Sequence, residues 1–228
     1  MGISAAIALD NVNAGYGDSP VLRNFSLRIA PGERVAIMGR SGAGKSTLLN
    51  LLYRRYAGDV ALIPQASGLV DALSVFHNVF MGRLDRHSTF YNLRTLVWPA
   101  ARDLDAVTRV LRSVGLDDKL FARAGALSGG QQQRASVARA LFNGRSIVVG
   151  DEPVSALDRV QAGEVLKLLS ERHETKIFAL HDIRLALEHA DRIIVLERGR
   201  IAVDERAQCL TVDGLLRHFE GEAPCEVR

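Results

Sequence analysis

Residues 39–46 read Gly-Arg-Ser-Gly-Ala-Gly-Lys-Ser and fit the pattern G-x-x-x-x-G-K-[S/T]. No other stretch of the chain restricts its fold as much, because this pattern works only between a buried strand and a helix. Both flanks are present. The apolar run Val35-Ala-Ile-Met38, in an expected strand from Arg34 to Met38, lies ahead of it, and Ser46-Thr-Leu-Leu-Asn-Leu-Leu52 reads as a helix leaving it. The glycines let successive backbone N–H groups turn inward around a phosphate with no Cβ in the way. The positive end of the following helix adds to that field. Gly39, Arg40, Ser41, Gly42, Ala43 and Gly44 form this cradle, and Lys45 can reach the β- and γ-phosphates as a point charge. The hydroxyl of Ser46, followed by Thr47, can ligate Mg²⁺.

A chain of 228 residues suits one large α/β domain with a small attached lobe. Its 47% hydrophobic and 24% charged residues are enough for an ordinary core. No apolar run approaches the ~18–20 residues that span a bilayer, and the N-terminus has no basic region ahead of an apolar one, so a soluble cytoplasmic chain is expected. The net charge of +3 is mild and the arginines are scattered, with Arg54-Arg55 the tight pair, which describes a solvated face rather than a nucleic-acid footprint. Cys209 and Cys225 lack metal-ligand spacing and read as reduced thiols.

Ile7 to Val12 and Val21 to Ile29 are expected strands, the second with Phe25, Leu27 and Ile29 alternating with polar residues as on a half-buried antiparallel strand. The P-loop helix should end near Tyr56-Ala57-Gly58, and Asp59 to Ile63 should form a strand. From Ala66 to Ala126 strand signals give way to helical spacing, with Arg83 to Asp103 the least regular part. Strands return at Ile147 to Val149, Lys176 to Leu180, Arg192 to Leu196 and Arg200 to Val203. Helices are expected at Gln132 to Phe142, Arg159 to Arg172, Ile183 to His189 and Thr211 to Phe219, and Glu222 to Arg228 reads as a frayed tail. This alternation implies a mainly parallel sheet covered by helices on both faces.

Ile147-Val-Val-Gly-Asp151-Glu152 is an apolar strand ending on two carboxylates, and strand C-termini are where an open α/β sheet places its ligand crevice. Asp151 can hold Mg²⁺ through a water while Glu152 polarises the attacking water. Leu127-Ser-Gly-Gly-Gln131 opens a helix and makes a second anion cradle from Ser128, Gly129, Gly130 and Gln131. One nucleotide needs one such cradle per chain, so the second is expected to serve a γ-phosphate bound on another copy.

These motifs resemble the ATP-binding cassette ATPases, the nucleotide-binding subunits of ABC transporters, from Tyr16 to about Asp204. Within that resemblance Gly39 to Ser46 is similar to Walker A, Leu127 to Gln131 to the signature motif, and Ile147 to Glu152 to Walker B with its catalytic glutamate. Gln65 matches the Q-loop glutamine, which can offer its amide oxygen to Mg²⁺ or the water, and Ser155-Ala-Leu-Asp158 the D-loop, where Asp158 joins the nucleotide contacts. His181, after the apolar strand Ile177-Phe-Ala-Leu180, resembles the switch histidine that bonds the γ-phosphate, and Tyr16 the aromatic residue stacked on adenine. The resemblance implies a RecA-like core with its β lobe (1–65 and 127–210), a helical subdomain (66–126) and a C-terminal helix and tail (211–228). It also implies ATP and Mg²⁺ as ligands, and two copies, or one copy with a related cassette, closing on two nucleotides.

A cassette without spanning segments resembles a stand-alone importer subunit held by permeases on the cytoplasmic face of the inner membrane, served by a solute-binding protein. The string Asn78-Val-Phe-Met-Gly-Arg-Leu-Asp-Arg-His-Ser-Thr89 is similar to subunits of phosphonate importers. Alternatives are an exporter cassette for lipid or peptide, a soluble cassette acting on nucleic acid, and a cassette that binds ATP without turnover. One departure stands out: Lys45 and Gln65 lie only 20 residues apart, shorter than the family pattern. The small antiparallel lobe is therefore expected to be shortened, with Asp59 to Ile63 its remnant there.

Overall fold

The computed structural model describes residues 6–16 and 19–219. The tail from Glu222 and Cys225 lie outside the described residues. In chain order the elements begin with β1 (Ile7–Tyr16), β2 (Ser19–Ile29), β3 (Arg34–Met38), α1 (Lys45–Arg55) and β4 (Val60–Ile63). Three helices follow, α2 (Val75–Phe80), α3 (Thr89–Val97) and α4 (Ala101–Ser113), with a 3₁₀ segment (Met81–Arg86) between the first two, and then, after two 3₁₀ turns, α5 (Gly129–Asn143). The rest are β5 (Ile147–Asp151), α6 (Arg159–Arg172), β6 (Thr175–Ala179), α7 (Ile183–His189), β7 (Arg192–Glu197), β8 (Arg200–Arg206) and α8 (Val212–Leu216). The chain divides into two compact units, one of residues 1–57 with 174–228 and one of residues 58–173.

In the first unit the strand order is β6-β3-β7-β8. β3 runs parallel to both its neighbours, and β8 returns antiparallel to β7. Every residue of β6 is buried, including Thr175 and Lys176 at its start, as are Val35 to Met38 of β3, which is the continuous burial of strands covered on both faces. Asp191 pins the starts of β3 and β7. Its N–H donates to the Arg34 carbonyl at 2.8 Å, while its carboxylate accepts from the Arg34 N–H at 3.1 Å and from the guanidinium at 2.5 Å. That guanidinium holds the Asp191 carboxyl below its ordinary range.

β1 and β2 form a separate antiparallel pair, Ile7 opposite Ile29 and Leu9 opposite Leu27, all four buried. The alternation read in the sequence is thus one apolar face and one wet face. Tyr56, one residue past α1, donates its hydroxyl to the Ala8 carbonyl at 2.7 Å and accepts from the Ala8 N–H at 2.9 Å, tying this helix to β1.

In the second unit β4 lies parallel to β5, Val60 opposite Ile147 and Ile63 opposite Gly150. This corrects the reading of Asp59 to Ile63 as a remnant of an antiparallel lobe. The run Val-Ala-Leu-Ile has no polar alternation, and three of its four residues are buried, as a parallel strand requires. Among the described residues the separate antiparallel sheet is β1 and β2.

All regular elements between residues 66 and 126 are helical. Residues 83–103, expected to be the least regular, contain α3 and the start of α4. The missed signal is Ser88, whose hydroxyl caps α3 by accepting from the Tyr91 N–H at 3.3 Å. At the C-terminal end the helix expected over Thr211 to Phe219 is shorter, Val212–Leu216, with Thr211 as its cap.

Candidate active site

β3 delivers the chain into the P-loop, whose turn depends on backbone that only glycine adopts easily. Gly39, Gly42 and Gly44 sit at φ of 139°, 77° and 108°. Gly39 has a second reason: a Cβ there would stand 2.3 Å from the Leu196 carbonyl oxygen of β7. Gly44 caps α1 without a side chain, and the first turn holds no acidic residue. The opening N–H groups of α1 are therefore left to an incoming anion. Lys45 is 7% exposed and folds back over the loop, donating to the carbonyls of Gly39 at 2.7 Å and Arg40 at 3.2 Å. Arg40, Ser41 and Gly42 are exposed, Ala43 and Gly44 buried, and Ser46 and Thr47 half-buried.

In the same unit His181 is exposed, two residues beyond β6. It precedes Asp182, which caps α7 by accepting from the N–H groups of Arg184 and Leu185 at 2.8 and 3.0 Å. Tyr16 ends β1 opposite Ser19. Its side chain lies outside the described residues.

The second unit gathers Gln65, Asp151 and Glu152. β5 is buried throughout and ends on Asp151, 8% exposed. Glu152 follows at φ 55°, the left-handed region that costs a non-glycine residue roughly 1–2 kcal/mol. Its carbonyl explains how this is sustained, accepting from Gln133 Nε2 at 2.7 Å, Ser155 Oγ at 3.2 Å and Ser155 N–H at 3.3 Å. The Glu152 carboxylate accepts from the Gln65 side-chain amide at 3.3 Å. Two of the residues singled out for catalysis thus meet within this unit.

Ser128 and Gln131 form a reciprocal capping box on α5. The Ser128 N–H donates to Gln131 Oε1 at 3.0 Å, and the Gln131 N–H donates to Ser128 Oγ at 3.4 Å. The helix therefore starts three residues earlier than expected, and the Gln131 amide oxygen is used within the cap. The two glycines differ. A Cβ on Gly130 would meet the Ala156 carbonyl oxygen at 3.1 Å, whereas one on Gly129 would meet nothing within 4 Å. Gly130 is closely approached by its own chain and Gly129 is not. Asp158 caps α6, its carboxylate accepting from the Val160 and Gln161 N–H groups at 3.0 Å each.

Sequence reasoning passed over Gln133, which is buried at 8% exposure. The available signal was its spacing: it lies four residues before Val137 and seven before Ala140, on the buried stripe of α5. No group of three or more His, Cys, Asp or Glu side chains able to hold a metal occurs among the described residues. A site for Mg²⁺ needs no such group, since this ion is commonly held by one or two carboxylates with substrate phosphates and water. Within the second unit the oxygen donors Asp151 and Gln65 fit that chemistry, and within the first the Ser46 hydroxyl is a donor of the same kind.

The ABC transporter family profile matches residues 22–155. The phosphonates import ATP-binding protein PhnC of Pseudomonas putida is 37% identical over 91% of this chain and 87% of its own length. PhnC 2 of Cupriavidus metallidurans is 39% identical over 91% and 84%. The dimeric ATP-binding cassette MJ0796 in a post-hydrolysis state bound to ADP and Pi superposes with a TM-score of 0.72 at 27% identity, covering 88% of this chain and 98% of that one. A bacterial Atm1-family ABC exporter with ATP bound gives 0.74 at 26% identity, covering 97% and 42%. With its P-loop, its capped Ser-Gly-Gly helix and its adjacent carboxylates where β5 ends, the chain belongs to the ABC transporter family as an ATP-hydrolysing cassette.

Proposed function

We propose that this cassette powers uptake of phosphonate or a related phosphorus oxyanion, with two copies closing on two ATP molecules. The import reading is supported by the curated relatives above, which share 37% and 39% identity and are named for phosphonate import. Gly39 to Thr47 hold the triphosphate through backbone N–H groups, and Lys45 exchanges the Gly39 and Arg40 carbonyls for phosphate oxygens. Ser46, Asp151 and Gln65 would hold Mg²⁺, which would offset charge on the phosphates. The water oxygen attacks the γ-phosphorus, the bond to the ADP oxygen breaks, and the Glu152 carboxylate accepts the water's proton. His181 donates to the γ-phosphate, Asp158 lies among the nucleotide contacts, and Tyr16 stacks on adenine.

Ser128, Gly129, Gly130 and Gln131 receive the γ-phosphate bound by the second copy. The observation that carries this reading is Gly129, a glycine that no atom of its own chain requires, at the opening of a helix. Residues 66–126 act as a helical subdomain that docks on the permease. The exposed apolar side chains of Phe90, Leu93, Leu96, Val97 and Trp98 on and just beyond α3 support that role. Permease contact would hold the chain at the cytoplasmic face of the inner membrane, with the solute-binding protein on the far side. No helix among the described residues is long and apolar enough to cross a membrane itself.

The test is Glu152→Gln. ATP binding should persist while turnover falls by at least ~10²-fold and closed dimer accumulates. In the host, the same substitution should stop growth on methylphosphonate as sole phosphorus source. Retained turnover would remove Glu152 as the base, and lost turnover with normal growth would remove the phosphonate assignment.

A further inference from the structure

We propose that Gln133 is a positioning residue for hydrolysis: its buried amide holds Glu152 in its left-handed turn and ties that turn to the Ser-Gly-Gly helix. The inference rests on the reading of Glu152 as the base. It adds a residue that belongs to none of the motifs from which the function was argued.

The geometry leaves the Gln133 amide one orientation. The Ala156 N–H can only donate, so the atom facing it at 2.6 Å is the amide oxygen. The amide nitrogen must then face the other way, toward the Glu152 carbonyl at 2.7 Å, with Ser155 Oγ at 3.4 Å. One side chain therefore spans residues 152–156, with its donor on the first residue and its acceptor on the last. A methionine or leucine of similar size can do neither. A glutamate keeps the acceptor and loses the donor.

What this clamp fixes is a conformation the backbone does not prefer. Glu152 at φ 55° has no glycine-like freedom, and it is the one positive-φ non-glycine residue in the second unit. Three of its stabilising bonds converge on its own carbonyl, and two of those come from Ser155 within the same turn. Gln133 supplies the one that comes from outside the turn. Without it the peptide after Glu152 loses its anchor on α5 and keeps the Ser155 bonds within the turn, so the carboxylate is held less firmly.

The clamp also sits on α5, five residues after its cap at Ser128. Gly130 approaches the same loop from the preceding turn of that helix, close enough that a Cβ would meet the Ala156 oxygen at 3.1 Å. Anything that shifts the start of α5, such as a second copy's nucleotide arriving at Ser128 and Gly129, is transmitted through Gln133 to Glu152 of the same chain. The two ATP molecules of a closed pair thereby act on one another's base.

The experiment is a double-mutant cycle on ATP turnover using Gln133→Met, Glu152→Gln and the pair, with ATP affinity measured on each. Gln133→Met should lower kcat by about 10–10²-fold, as expected for a misplaced base, with ATP affinity within about twofold of wild type. Combined with Glu152→Gln it should lower turnover no further, because its effect runs through that carboxylate. Hydrogen exchange at the Ala156 amide should quicken in Gln133→Met and stay slow in Gln133→Glu, which retains the acceptor. Gln133→Glu should still lose turnover, since the donor to the Glu152 carbonyl is gone.

Multiplicative losses in the double variant would overturn the proposal, because a general packing role adds independently of Glu152. Wild-type kcat in Gln133→Met would also overturn it while leaving the base assignment intact. Failure of the base assignment is read on another variant, as full turnover in Glu152→Gln alone.

Discussion

The two units carry active-site parts built in opposite ways. The P-loop is a local device: eight consecutive residues, three left-handed glycines and a lysine that folds over its own loop. The Glu152 turn is assembled from a distance, with its carboxylate met by Gln65, 87 residues earlier, and its carbonyl by Gln133, 19 residues earlier. In the first case the backbone makes the site and one side chain completes it. In the second, side chains from other elements hold the backbone. The difference predicts how each half breaks.

The largest effect in the first unit should come from Lys45→Ala. ATP affinity should fall by at least ~10-fold, because a charge-assisted contact to phosphate is lost. The melting temperature should hardly change, because the glycine-defined turn remains. Titration with a fluorescent ATP analogue alongside a thermal melt checks both. Unchanged affinity would count against the loop as the triphosphate site, and a large drop in melting temperature would show that the turn depends on its lysine after all. In the second unit the reverse holds: the Gln133 variants should disturb the turn itself and leave affinity alone.

The smallest effect should be at Asp191, which pins β3 behind the P-loop. Arg34 holds its carboxyl below the ordinary value, so folding is favoured above that ordinary value, about 4. The contribution is lost as pH falls through the lowered one. The pair is partly exposed, so Asp191→Asn should cost under ~1 kcal/mol at pH 7. Urea unfolding should show the gap between variant and wild type narrowing below about pH 4. A gap that widens with acid would contradict the direction of the shift.

The same contrast decides what could be read in the sequence. β3 and α6 match their expected bounds, because apolar runs and helix signals are local. The glycine turn between β3 and α1 was legible for the same reason. The partner of β4 was not, since four apolar residues do not say which strand they lie beside or in which direction. The turn at Glu152 was equally hidden. Its φ follows from hydrogen bonds to residues whose proximity only the fold creates, and Gln133 looks like its neighbours in a run of three glutamines. Gln131 and Asp158 show a related limit. The resemblance marked them as site residues, but not that the structure commits their side chains to capping α5 and α6.

The central claim is that hydrolysis needs two chains, each lending its Ser-Gly-Gly helix to the nucleotide held by the other. The direct measurement is ATP turnover per chain over a dilution series of the purified protein at saturating ATP·Mg²⁺. Turnover per chain should rise in proportion to protein concentration at high dilution and level off once dimers dominate. A rate per chain that stays constant down to concentrations where sedimentation detects only monomer would contradict it.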